Sequence, residues 1–154
     1  MRHRFQLLGG LAACCLMFAV AVPSYAQRRW SDNWQSERVN ISRLIARAES
    51  RSSEFVQVFD QALDESELNG TLREGRLNDR ARDIESELNM VRDAFDRADR
   101  YEVTMHLSRA INAASRINNV MNNRRMDYET EQQWNMLRSD LNRLAAFFDV
   151  RQLS

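Results

Sequence analysis

The chain has 154 residues, 44% of them hydrophobic and 29% charged, with 22 basic residues against 22 acidic ones. Balanced and finely interleaved charge excludes the basic excess on which nucleic-acid binding draws. All the basic residues are arginine, which we read as high-GC codon bias rather than as arginine chemistry.

Met1-Arg2-His3-Arg4 is a basic start, Leu7 to Val22 is apolar, and Pro23 follows. That order is the pattern of a secretory signal. Two cuts compete. Leu11-Ala12-Ala13-Cys14 fits a lipobox, in which Cys14 would carry lipid and anchor the protein. Ser24-Tyr25-Ala26 fits the small-x-small site of an ordinary signal, which releases it. The lipobox cut would strand Leu16 to Val22 as an apolar tail, whereas the second consumes the whole run. We therefore expect residues 1–26 to be a signal peptide and 27–154 one exported domain, periplasmic or secreted. No stable membrane anchor is expected, because sixteen apolar residues fall short of the roughly 20 that span a bilayer. Removal of residues 1–26 takes Cys14 and Cys15, so the mature domain relies on its core without disulfides.

Past Pro23 there is no proline, and the only glycines are Gly70 and Gly75. Arg, Glu, Asp, Leu and Ala dominate, which predicts an all-α fold. The first segment, from about Asp32 to Glu65, carries Ile41, Ile45, Ala48, Phe55, Phe59 and Ala62 on one stripe, widened by Leu44, Val56 and Leu63. Ser52 is the polar break in that stripe. Just before it begins, Trp30 and Trp34 lie at i and i+4 with Arg38 one turn on, an aromatic–arginine group and a candidate interface.

Asn69-Gly70 suits a helix end, and Thr71 with Glu74 forms a T-x-x-E capping box for the next start. The same letters partly fit a calcium loop beginning at Glu65. Its twelfth position is Arg76, where a carboxylate is needed, so the helical hairpin is preferred. The second segment, Leu72 to Ala98, reads Leu77, Ala81, Ile84, Leu88, Val91, Phe95, Ala98, an unbroken heptad seam. Its phase fails between Ala98 and Val103. A new helix is expected there, capped by Asp99 and Glu102 or else starting at Thr104.

The third segment carries Val103, Leu107, Ala110, Ala114, Ile117 and Met121 and closes at Asn122 to Arg125. The fourth opens at Asp127 or Thr130 and carries Trp134, Leu137, Leu141, Leu144 and Phe148. Short connections between one-sided helices predict an antiparallel up-down four-helix bundle. Thr130-Glu131-Gln132-Gln133 half resembles the L-T-x-x-Q motif of small exported helical chaperones, but Glu129 replaces the leucine and Thr130 with Gln133 also reads as a capping box.

Enzyme chemistry is short of parts. His106 is the one histidine of the mature chain, and thiols and lysines are gone, which removes most nucleophilic and Schiff-base schemes. A di-iron bundle wants two Glu-x-x-His pairs, which the chain cannot supply. A haem or copper carrier would have to pair His106 with Met90, Met105, Met121, Met126 or Met136, which read more simply as core filler. Asp79 and Asp83 read as a solvated face.

From about Phe55 onward, Leu68-Asn69-Gly70-Thr71, Ser115-Arg116-Ile117, Trp134, Leu137-Arg138, Asp140-Leu141 and Leu144-Ala145 resemble small exported bacterial helical-bundle proteins. The resemblance covers most of the mature chain and implies the fold; it brings no activity or site. We expect a non-enzymatic bundle without cofactor or metal, acting by protein–protein contact, self-association included. The alternative is an envelope chaperone for unfolded clients.

Overall fold

A computed structural model describes residues 24–154, with side chains from residue 37 onward. Residues 1–23 of the expected signal peptide, and the side chains of Trp30 and Trp34, lie outside that description, while residues 24–26 form the start of the first helix. Four helices account for the fold: α1 Ser24–Asp64, α2 Leu72–Asp96, α3 Arg100–Asn123 and α4 Tyr128–Phe148. No strand occurs among the described residues. α1 packs on α2 and α4, α2 on α3, and α3 on α4, so the helices close a ring in up-down-up-down order. α1, at 41 residues, is about 61 Å long, against about 38 Å for the 25 residues of α2.

The stripes meet in one core. Ile45, Phe55, Phe59, Ile84, Leu88, Leu107, Ile117, Leu137 and Leu144 are fully buried. Phe55 stacks on Phe59 at 4.9 Å between ring centroids and tilts against Trp134 at 5.2 Å, joining α1 to α4. Each such side chain contributes about 1.5–3 kcal/mol by leaving water, offset by the entropy of ordering it. Ser52 lies inside this stripe, 1% exposed, and its hydroxyl has no hydrogen-bond partner. Toward the end of α1 the stripe runs through Leu63, which is buried, while Ala62 is only half-buried.

Each connection has its own chemistry. At the α1–α2 hairpin Gly70 adopts φ 73°, and Thr71 caps α2 by accepting the Glu74 amide at 3.2 Å. The Glu74 carboxylate accepts the Gly70 N–H at 2.5 Å, one residue before the usual capping-box donor. Asn69 ties back to the end of α1, donating its side-chain amide to the Asp64 carbonyl.

α2 ends two residues before the seam predicted. Ala98, expected as its last seam residue, is exposed and left-handed at φ 57°. The Ala98 N–H donates to the Phe95 carbonyl at 3.0 Å and the Asp99 N–H to the Ala94 carbonyl at 2.9 Å. These two bonds make a Schellman turn with alanine in the position glycine normally fills. Ala94 is buried in the last turn instead, and Phe95 is only half-buried. Asp99 then caps α3, accepting the Glu102 amide at 3.0 Å, so Thr104 is not the start. Glu102 pairs with Arg97 across the turn.

α4 starts at Asp127, which accepts the Thr130 amide at 2.9 Å. Burial pushes the Asp127 carboxyl up, but hydrogen bonds from the Thr130 hydroxyl and first-turn amides outweigh it and hold its pKa below the ordinary value. The capping box expected from Thr130 to Gln133 does not form. Thr130 is buried inside the first turn, and its hydroxyl donates to Asp127 at 2.6 Å and approaches the Val58 carbonyl of α1 at 3.3 Å. Tertiary contact decided what local letters left open.

After α4, Asp149 is left-handed at φ 59° and the chain turns back. Asn142 clasps the backbone of Leu153, accepting its N–H at 2.8 Å and donating to its carbonyl at 3.1 Å. Asn118 of α3 donates to the Ser154 carbonyl at 2.7 Å, so the buried Leu153 closes the α3–α4 seam.

Candidate interface at the open end of the bundle

The end of the bundle away from the Gly70 hairpin is built by the last turn of α2, the first of α3 and the last of α4, set against α1. It is not filled. A cavity of about 130 Å³ opens there, walled by Ile41, Phe95, Val103, Phe147 and Phe148. Its origin is the phase slip in the sequence. α2 stops, Ala98 offers only a methyl group, and no seam residue follows until Val103.

The aromatic wall is ordered by edge contacts. Phe148 meets Phe95 at 6.4 Å and Phe147 at 5.0 Å, both close to perpendicular. Phe147 is 39% exposed. Arg38 lies over the Phe95 ring at 5.6 Å, a cation–π contact, and Arg100, the first residue of α3, lines the same cavity. Neither arginine has a salt-bridge partner among the described residues. Asp99 also lines the cavity, with its carboxylate engaged in capping α3.

Of the candidate interface residues, Arg38 lines this cavity. Asn69, Gly70, Thr71 and Glu74 lie together at the opposite end as the α1–α2 cap. His106 is half-buried on α3, its Nδ1 2.6 Å from the Glu87 carboxylate of α2, with Arg109 4.0 Å from the other oxygen. Asp79 and Asp83 are both exposed, and Asp83 pairs with Arg80 at 2.8 Å. No group of three or more His, Cys, Asp or Glu side chains could hold a metal ion among the described residues. No described helix is long and apolar enough to cross a membrane.

A second cluster escaped the sequence reading. Asp140 of α4 is 1% exposed and takes a two-point grip from Arg47, at 2.8 and 2.7 Å. Arg51 adds a bond at 2.5 Å and reaches the Met136 carbonyl at 3.2 Å. The hydrogen bond to Asp140 raises the Arg47 pKa against the opposing effect of burial. The signal was present: Asp140 falls beside Leu141, three residues past Leu137, within an apolar stripe. The Asp140 carboxylate is buried with both oxygens bonded, and the cluster staples α1 to α4. Phe147 and Phe148 were not read as a site because the helices around them come together only in the fold.

No protein-family model, curated protein or solved structure matches this chain.

Proposed function

We propose that the protein is an exported, non-enzymatic bundle that acts by protein–protein contact through its open end. The observation that supports this reading is the aromatic-walled cavity lined also by two arginines, neither of them salt-bridged among the described residues. Aromatic side chains and arginine are the residue types that concentrate binding energy at interfaces, where a partner excludes water from them. Tyr128, also exposed, lines a cavity with Arg51, whose guanidinium is already held by Asp140. Export is supported by the basic start, the apolar run and the Ser24-Tyr25-Ala26 site.

Affinity capture from an envelope extract tests the contact. The wild-type chain should retain a defined protein, Phe147→Glu should lose at least about 90% of it, and Leu72→Glu at the opposite end should keep it. Equal capture by wild type and Phe147→Glu would reject this end as the contact surface. For export, the intact mass of the mature protein should begin at Gln27; a lipidated species beginning at Cys14 would reject release.

A further inference from the structure

The cavity is small and chemically two-sided, and both properties narrow what enters it. Its volume of about 130 Å³ approaches the roughly 150 Å³ of an apolar protein cavity that takes one benzene. One phenyl or branched aliphatic side chain fits; the ridge of a helix does not. The walls are apolar, so the inserted group is apolar. The two cations at the same cavity, Arg38 and Arg100, call for an anion close to that group. The positive end of the 24-residue α3 begins at Arg100 and adds to the same field. The Asp99 carboxylate opposes it in part, while committed to the Glu102 amide.

We propose that the open-end cavity binds the free C-terminal residue of a partner polypeptide, with a Phe- or Leu-sized side chain inside and the α-carboxylate on Arg38 and Arg100. This rests on the reading of the open end as a contact surface and names the chemistry of what docks there. The separation of the groups favours a terminus over an internal acidic residue. In a C-terminal residue the apolar side chain and the carboxylate share one Cα, and both fall within the width of one small cavity. In an extended internal segment the side chain next in sequence points to the opposite face, and the one after it is roughly 7 Å away. Capture of a terminal carboxylate by cationic and amide groups is an established mode of peptide recognition.

Calorimetry on the mature chain with three probes tests it: acetyl-Gly-Gly-Phe with a free carboxylate, the same tripeptide as its C-terminal amide, and 3-phenylpropionate. The free acid should bind at least about ten-fold tighter than the amide. Arg100→Gln and, separately, Arg38→Gln should each shrink that preference to about two-fold or less, with a cooperative melt retained in both. Arg100 is exposed at the first position of its helix, and Arg38 is exposed on α1 and gives up only its contact over the Phe95 ring, so neither substitution removes a buried side chain. Equal binding of acid and amide, no binding of either, or a preference that survives both substitutions overturns the proposal. Binding of 3-phenylpropionate as tight as that of the tripeptide also overturns it, in favour of a small-molecule carboxylate site. If envelope capture remains sensitive to Phe147→Glu while acid and amide bind alike, the contact surface stands and only the terminal-carboxylate assignment falls.

Discussion

Replacing Arg47 and Arg51 together by methionine should destabilise the bundle by about 3–5 kcal/mol, because it leaves the buried Asp140 carboxylate without a cation. The magnitude follows from an asymmetry of exposure. The Asp140 side chain is 2% exposed, whereas those of Arg47 and Arg51 are 44% and 25% exposed. The arginines can turn to water when their partner is lost; the carboxylate cannot. Adding Asp140→Leu to the double substitution should therefore recover most of the loss and bring the triple variant within about 1 kcal/mol of wild type, since apolar replacement of a whole buried ionic cluster is often neutral or stabilising. Urea unfolding followed by far-ultraviolet circular dichroism reads all three proteins, with the denaturant slope as a check that two-state behaviour is kept. A loss of 3–5 kcal/mol is a large part of the roughly 5–15 kcal/mol that holds a domain folded. A double variant that loses under about 1 kcal/mol, or a triple variant no better than the double, would refute the reasoning that burial of Asp140 sets the cost.

The two left-handed sites should respond in opposite directions to the same chemistry. Gly70→Ala should cost about 1 kcal/mol through backbone strain alone, since no atom lies within 4 Å of an added Cβ, while Ala98→Gly should gain up to about 1 kcal/mol; thermal melts check both. Ser52→Ala should stabilise by about 1 kcal/mol, because it removes a buried hydroxyl that has no partner and improves helix propensity; a loss in urea unfolding would mean that the hydroxyl is satisfied. Asp127 has a lowered pKa in the folded state, so its contribution is full above the ordinary carboxylate pKa and fades as pH falls through the folded value. The stability difference between wild type and Asp127→Asn should therefore be constant at neutral pH and shrink below about pH 4.

Much of the fold was legible because burial imposes spacing. Leu77, Ala81, Ile84, Leu88 and Val91 are all buried, as a heptad seam requires when one face of a helix meets partners along its length. The step of five from Ala98 to Val103 marked the α2–α3 break for the same reason. What failed was local chemistry with two valid answers. Asp127 and Thr130 are both competent caps, and the choice went to Asp127 because Thr130 is drawn into the α1 interface near the Val58 carbonyl. Asp140 lay beyond the seam reading because its partners, Arg47 and Arg51, stand beside core positions Ala48 and Ser52 some 90 residues earlier in the chain. The cavity was still less legible. It is an unfilled space between Phe95, Val103 and Phe148, and periodicity marks the side chains that fill a core, not the layer where filling stops.

Hydrogen–deuterium exchange of the mature protein, with and without the partner retained in affinity capture, tests the central claim most directly. The account predicts added protection in the turn from Phe95 to Val103 and in the last turn of α4 through Phe148, with the Asn69 to Glu74 hairpin unchanged. Protection confined to the hairpin end, or to the outer faces of α2 and α3, would contradict it.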